Sequence, residues 1–273
     1  MSTTSTRRTR RAAAIVAVAA PLALFPFGAA QAADDAQVSV LHGIPDLTVD
    51  VYVNGDLTLD NFKPGDLAGP LALPADTYSV EITDKDDKGT VLLGPSDVAV
   101  EAGGNYTIVA NLDAKGDPTV TPFENDISTV APGEARVTVR HVAAAPEVDI
   151  EANGDVLAPG LVNGDEAVAD VPADSYDVAI VPAGGGDAVW NEDVDLGEGV
   201  NTIAYAWGSL DDGSFAVAVQ AIDGLHSAPG SVDAGEVGLA GTTSGSSPWL
   251  VAALVGSVLL GSAAAVRLVQ VRR

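Results

Sequence analysis

The sequence predicts an all-β protein: two tandem immunoglobulin-like antiparallel β-sandwich domains, with an N-terminal signal peptide and a C-terminal transmembrane helix. Three observations carry this. A unit of roughly ninety residues occurs twice. Apolar and polar residues alternate with a period of two inside each copy. The long uncharged apolar runs of the 273-residue chain lie at its two ends.

The duplication is legible over most of the chain. "VSVLHGIPDLTVDVYVNGD" from Val38 aligns with "VTVRHVAAAPEVDIEANGD" from Val137 at a constant offset of 99. "LPADTYSVEI" from Leu73 aligns with "VPADSYDVAI" from Val171 at an offset of 98, and "TIVANL" from Thr107 has its counterpart in "TIAYAW" from Thr202. These matches define repeat 1 as residues 37–127 and repeat 2 as residues 135–224, with the Ala-Pro-Gly of "ENDISTVAPGEA" marking the boundary.

Within repeat 1 the alternation predicts strands near 38–42, 49–54, 57–60, 71–73, 78–83, 91–100 and 106–111, and an eighth at 119–123. Asn54-Gly55 and Asn153-Gly154 supply the two positive-φ residues of a type I′ hairpin turn, which places strands on either side of each. Pro74 and Pro172 close a strand because proline cannot donate to a ladder. Tyr78 and Tyr176 then open the next strand, in the position of a corner-anchoring phenol.

The two ends predict export. Arg7, Arg8, Arg10 and Arg11 precede an apolar run that finishes in the Ala30-Gln31-Ala32 cleavage pattern, a signal peptide over residues 1–32. Residues 225–248, rich in Gly, Ser and Thr, read as a flexible stalk. Residues 249–266 carry no charge and are near the lower length limit for a membrane span. Residues 267–273, with three arginines, read as a basic cytoplasmic tail. The chain is therefore expected in the cell membrane as a single-pass protein with its bulk outside. In addition "LAGTT", Leu239, Ala240, Gly241, Thr242 and Thr243, resembles a Gram-positive sorting signal of the LAxTG kind, with Thr243 in place of the final Gly. Covalent linkage to the cell wall through Thr242 is the alternative that resemblance implies.

Charge narrows the partners. Four of the 13 Lys and Arg fall in the signal peptide and three in the tail. Six remain against all 38 Asp and Glu, a net charge of about −32 outside the membrane. Such a surface repels nucleic acid, which is excluded as a partner. A cell-wall polymer or another surface protein remains, and nothing in the sequence states an oligomeric state. The absence of cysteine excludes disulfides and thiol chemistry.

No catalytic residue, cofactor site or metal site is assigned from the sequence. His42 and His141 occupy the same slot at the end of the first strand of each repeat, and His226 stands at the start of the stalk. No nucleophile elbow accompanies them. They read as strand-end structural residues, the alternative for His42 being a shallow ligand contact with Asp46. Asp84-Lys85-Asp86-Asp87 and Asp211-Asp212-Gly213-Ser214 are acidic loops without the spaced oxygens of an EF-hand. Asp50 and Asp56, flanking the first hairpin, find no further ligand at the required spacing. Trp190 and Trp207 read as core filling, the alternative being a binding patch confined to repeat 2.

The stretches "LHGIPDLTVDVYVNG", "LPADTYSVEI" and "TIVANL" resemble a bacterial envelope family known only as a domain of unknown function. Its pattern is His-x-x-Pro-Asp, Val-Asp-Val-Tyr-Val-Asn-Gly and Leu-Pro-Ala-x-x-Tyr. Repeat 1 keeps His42, Pro45, Asp46, Asp50, Tyr52, Asn54, Gly55 and Tyr78 of that signature. Repeat 2 keeps His141, Asp149, Asn153, Gly154 and Tyr176 but has Ala144-Ala145 where the Pro-Asp falls. The resemblance implies an actinobacterial origin, in line with the Ala/Gly/Val-rich, Lys-poor composition, and implies no activity. The expectation is a non-enzymatic cell-surface protein serving adhesion, envelope organisation or ligand binding. A hydrolase acting on envelope carbohydrate and a calcium-stabilised adhesive rod are the alternatives.

Overall fold

The computed structural model describes residues 34–226 and the backbone of residues 270–272. The expected signal peptide with Ala30 and Ala32, the sorting-like Leu239–Thr243 stretch and the apolar run 249–266 lie outside the described residues. No helix among the described residues is long and apolar enough to cross a membrane.

Repeat 1 contains β1 (Ala36–His42), β2 (Val49–Val53), β3 (Asp56–Phe62), β4 (Leu67–Leu73), β5 (Asp76–Asp84), β6 (Asp87–Val100), β7 (Asn105–Leu112) and β8 (Pro118–Glu124). Repeat 2 repeats them as β9 (Glu134–His141), β10 (Val148–Ala152), β11 (Asp155–Leu161), β12 (Glu166–Pro172), β13 (Ser175–Pro182), β14 (Trp190–Asp195), β15 (Asn201–Trp207) and β16 (Ala216–Ile222). Each repeat is two sheets facing each other. In repeat 1 the orders are β4-β1-β7-β8 and β3-β2-β5-β6; in repeat 2 they are β12-β9-β15-β16 and β11-β10-β13-β14. The eighth strand is therefore present in both copies.

One pair in each repeat departs from the expected antiparallel arrangement: β1 runs parallel to β7, and β9 parallel to β15. The first and seventh strands are far apart in sequence. They need no hairpin between them, so the antiparallel constraint of a short turn does not apply.

The hairpins follow the sequence. Asn54 and Gly55 have φ of 52° and 85°, and Asn153 and Gly154 have φ of 51° and 81°, so both turns use the two positive-φ residues expected of them. The Asn side chain does more than tolerate the conformation. Asn54 Oδ1 accepts from the Ser79 amide at 2.9 Å, and Asn153 Oδ1 from the Asp177 amide at 3.0 Å, tying each hairpin to β5 or β13.

The interior of repeat 1 is filled from both sheets by Val38, Val49, Val51, Ile82, Val98 and Ile108. Repeat 2 uses Val137, Val148, Ile150, Leu161, Val171 and Ile180 in the same way. A further buried cluster belongs to neither interior: Leu41, Val109 and Phe123 of repeat 1 pack on Val142, Ile203, Tyr205 and Trp207 of repeat 2. The outer face of β4-β1-β7-β8 is thus covered by the outer face of β12-β9-β15-β16, giving four stacked sheets. This explains why β1, β7 and β9 are buried on both faces.

The stack also corrects the alignment of the last shared stretch. The Gly43 amide donates to the Ala110 carbonyl at 2.6 Å, and the Val142 amide to the Ala206 carbonyl at 2.8 Å. Thr107 is therefore equivalent to Ile203, not to Thr202. A one-residue slip exchanges the two faces of a strand. As a result Ile203, Tyr205 and Trp207 point into the inter-repeat layer and not into the interior of repeat 2.

Two further expectations change. Leu225 and His226, read as the start of a flexible stalk, are docked: the Leu225 carbonyl accepts from the Val130 amide at 2.8 Å, and His226 bridges to Val130. Gln270–Arg272, read as tail, forms β17, whose backbone pairs antiparallel with Glu166–Val168 at the edge of β12.

Candidate functional site

The duplicated signature residues come together as ties between turns and strands. Nε2–H of His42 donates to the Leu47 carbonyl at 2.8 Å, and Nε2–H of His141 to the Pro146 carbonyl at 3.0 Å. Nδ1 of each ring accepts a longer bond from the backbone amide two residues on, Ile44 or Ala143. Both rings are fully buried, and burial holds their pKa values below the ordinary histidine range despite the carbonyl contact. With both nitrogens occupied, neither imidazole faces a hydroxyl it could activate. His42 lies against Phe62, ring centroids 5.7 Å apart, rather than against Asp46.

Tyr78 and Tyr176 donate their hydroxyls to the Pro74 and Pro172 carbonyls, each at 2.9 Å, closing the strand-to-strand corner in both repeats. Asp50 Oδ1 accepts from the Asn61 amide at 2.8 Å, and Asp149 Oδ1 from the Gly160 amide at 2.8 Å. Asn61 and Gly160 have φ of 54° and 69°, so the carboxylate, buried in Asp50 and half-buried in Asp149, holds a left-handed bulge in β3 or β11.

Repeat 1 adds something repeat 2 lacks. Asp50 Oδ2 also accepts from the Asp86 amide at 3.0 Å. Asp50, Asp60 and Asp86 then bring carboxylate oxygens within 4.8 Å of one another, among the described residues the one group of three that could hold a metal ion. The sequence had paired Asp50 with Asp56 across the hairpin; the bulge in β3 and the β5–β6 turn bring in Asp60 and Asp86 instead. Both are exposed, and in repeat 2 their places are taken by Pro159 and the Gly184–Gly186 stretch. A trio of acidic oxygens suits a hard cation, yet Asp50 already has an amide donor on each oxygen.

A prediction separates the two roles. Asp50→Ala is expected to lower stability by about 1–2 kcal/mol by removing the buried acceptor of two partly buried amides. Asp60→Asn and Asp86→Asn should lie within about 0.5 kcal/mol of the native protein. Urea unfolding with and without calcium measures this. A cost at Asp60 and Asp86 that arises only with calcium would make the trio a cation site rather than a turn tie.

The other sequence candidates are dispersed. Asp211 and Asp212 line a polar groove of about 550 Å³ between the repeats, together with Lys115, Glu147, Asn163 and Ser209. Trp190 packs at the margin of the repeat 2 interior, while Trp207 is buried between the repeats, so the two do not form one patch.

Sequence reading missed the centre of that inter-repeat layer. Arg140, 1% exposed, donates from Nε to Glu166 Oε2 at 2.9 Å and from Nη1 to the Tyr205 hydroxyl at 2.8 Å. Its guanidinium also lies over the Phe123 ring of repeat 1, 4.4 Å from the centroid. The Tyr205 hydroxyl donates to Gln220 Oε1 at 2.6 Å, which also accepts from Thr107 at 2.9 Å. Gln220 Nε2 donates to Ser39 at 3.2 Å. A continuous buried chain thus runs from Glu166 of repeat 2 to Ser39 and Thr107 of repeat 1. Arg136 pairs with Asp170 at 2.8 Å and with Asp126 at 2.9 Å, fastening the connecting segment to β9. Arg136 and Arg140 are the only cations of residues 134–226, so the outer surface of repeat 2 carries carboxylates alone.

These features define the class: an all-β protein of two stacked, duplicated sandwiches whose signature residues are fold ties. Residues 36–151, repeat 1 through β10, match a family described as a domain of unknown function, DUF4397. None of the curated proteins matches the chain.

Proposed function

We propose that the chain is a non-enzymatic cell-surface protein that holds a rigid, acidic double sandwich outside the membrane as a binding and envelope-organising module. The observation that carries this reading is the inter-repeat layer. His42, His141, both arginines of repeat 2 and the buried hydroxyls are engaged in internal ties, and what faces outward is mostly carboxylate, with four lysines on repeat 1. A predominantly negative coat suits display in a crowded envelope and the capture of cationic groups. We read the paired four-stranded layers as immunoglobulin-like sandwiches and the ends as signal peptide and membrane span, with wall linkage at Thr242 as the second route of anchoring. An actinobacterial envelope origin goes with this reading.

The span and the β17 pairing are alternatives for one molecule, because a tail across the membrane does not reach β12. The cysteine-free chain makes the test simple. Single variants Lys115→Cys and Gln270→Cys are exposed to a membrane-impermeant maleimide on intact cells. The expected result is labelling at 115 and protection at 270 until the cells are permeabilised. Labelling at 270 on intact cells would place the tail outside and overturn the single-pass arrangement.

A further inference from the structure

The two repeats differ in how well their interiors are filled. Between the sheets of repeat 1 the free space is about 40 Å³; at the equivalent place in repeat 2 it is about 350 Å³. The equivalence holds residue by residue: Val51, Tyr78 and Val80 line the first space, and Ile150, Tyr176 and Val178 the second. Strand register compares the positions that fill the two interiors. Leu71 lies opposite Val38, whereas Ala169 lies opposite Val137; Leu59 lies opposite Val51, whereas Ala158 lies opposite Ile150. Leu73, opposite Ala36, becomes Val171, opposite Ala135. Of the positions lining the two spaces, Leu73 and Val53 of repeat 1 become the smaller Val171 and Ala152 in repeat 2, while Ala158 and Ala169 border a separate void of about 10 Å³ beside it.

Unfilled apolar volume is destabilising, so a well-packed fold does not keep it without a reason. The volume is in the range of small-molecule sites and holds about a dozen water-sized groups. The space also has a mouth. Asn153, Asp155 and Val156 of the β10–β11 hairpin face Pro172 and Tyr176 of the β12–β13 corner across it. Val156 stands there 54% exposed, an apolar side chain at an acidic rim. Among the described residues β17 pairs with Glu166–Val168 and does not extend to the Val171–Pro172 end of β12. Both cations of repeat 2 are buried in ion pairs, so Asp155 meets no competing positive charge from its own repeat.

We propose that this cleft is a binding site for an amphiphile with a single apolar chain and a positively charged head. The chain enters between the sheets along Leu157, Val171 and Leu196, and the head stays at the mouth beside Asp155. A negatively charged head is disfavoured there by the like-charged rim. The proposal does not depend on where the protein resides.

The test is photo-crosslinking of the purified full chain with a dodecylamine probe carrying a diazirine in its chain, the labelled residues being mapped by peptide mass spectrometry. Labelling is expected on the cleft lining of repeat 2 and not at the equivalent residues of repeat 1. Unlabelled dodecylamine should displace it at least about tenfold more effectively than dodecanoate. Ala152→Val combined with Val171→Leu, which installs the lining residues of repeat 1, should reduce labelling about tenfold or more. Leu71→Ala should open a second labelled site in repeat 1. Labelling indifferent to the Ala152→Val, Val171→Leu pair, equal labelling of both native repeats, equal displacement by dodecanoate, or no labelling within residues 134–226 would each overturn the proposal.

Discussion

Arg140→Ala is expected to destabilise the double sandwich by about 3–5 kcal/mol. Arg140 is 1% exposed and has three partners: the Glu166 carboxylate, the Tyr205 hydroxyl and the Phe123 ring. Removing the guanidinium leaves Glu166, itself 7% exposed, as an uncompensated buried charge, and that penalty dominates. The Tyr205 hydroxyl loses a donor but keeps Gln220, so its share is smaller. In a body of this size each kcal/mol moves the midpoint by about 2–4 °C, so a fall of about 10 °C is expected in a thermal scan. The paired replacement Arg140→Met with Glu166→Leu should recover most of the loss, because an apolar pair of similar volume has no charge to desolvate. A single substitution without effect would show that the pair is solvated and the layer open.

Trp207→Ala is the second large effect, at about 3–5 kcal/mol. Its side chain fills the inter-repeat layer against two glycines of repeat 1: a Cβ at Gly65 would stand 3.1 Å from ring atom Cζ2, and one at Gly43 would stand 3.2 Å from Trp207 Cβ. Gly65 has a φ of +83°, so the turn needs glycine for its backbone as well as for the ring. The indole Nε1 is buried without an acceptor, so Trp207→Phe removes no hydrogen bond and should cost clearly less than Trp207→Ala. Equilibrium unfolding in urea distinguishes the two variants. Equal costs would mean that packing is not what holds the ring there.

Much of this was legible in the sequence. Alternation located the strands, and the Asn-Gly pairs located the hairpins, because these depend on neighbours along the chain. The recurrence of His42 and His141, or of Tyr78 and Tyr176, pointed to structural roles, and the members of each pair bond to carbonyls at equivalent positions of the two repeats. The layer between the repeats was not legible. In "VTVRH" the arginine falls where alternation places solvent, and only the covering sheet of repeat 1 turns that face into an interior. For the same reason β7 reads as one of several apolar runs and does not announce that both its faces are covered. The Asp50, Asp60 and Asp86 trio was hidden by the bulge in β3, which breaks the period-two spacing by which sequence assigns faces. The shared Thr-Ile of β7 and β15 misled the alignment by one residue, and one residue is enough to exchange interior for interface.

Native-state hydrogen exchange of amides in β7 and β15, followed through low urea concentrations, tests most directly whether the two repeats are one body. Strands that open only together share one opening free energy and one denaturant slope, and the buried chain from Glu166 to Thr107 predicts that result. If β7 amides exchanged through an opening with its own lower free energy and smaller slope, repeat 1 would be unfolding by itself. The inter-repeat layer would then be a contact between independent domains rather than part of a single core.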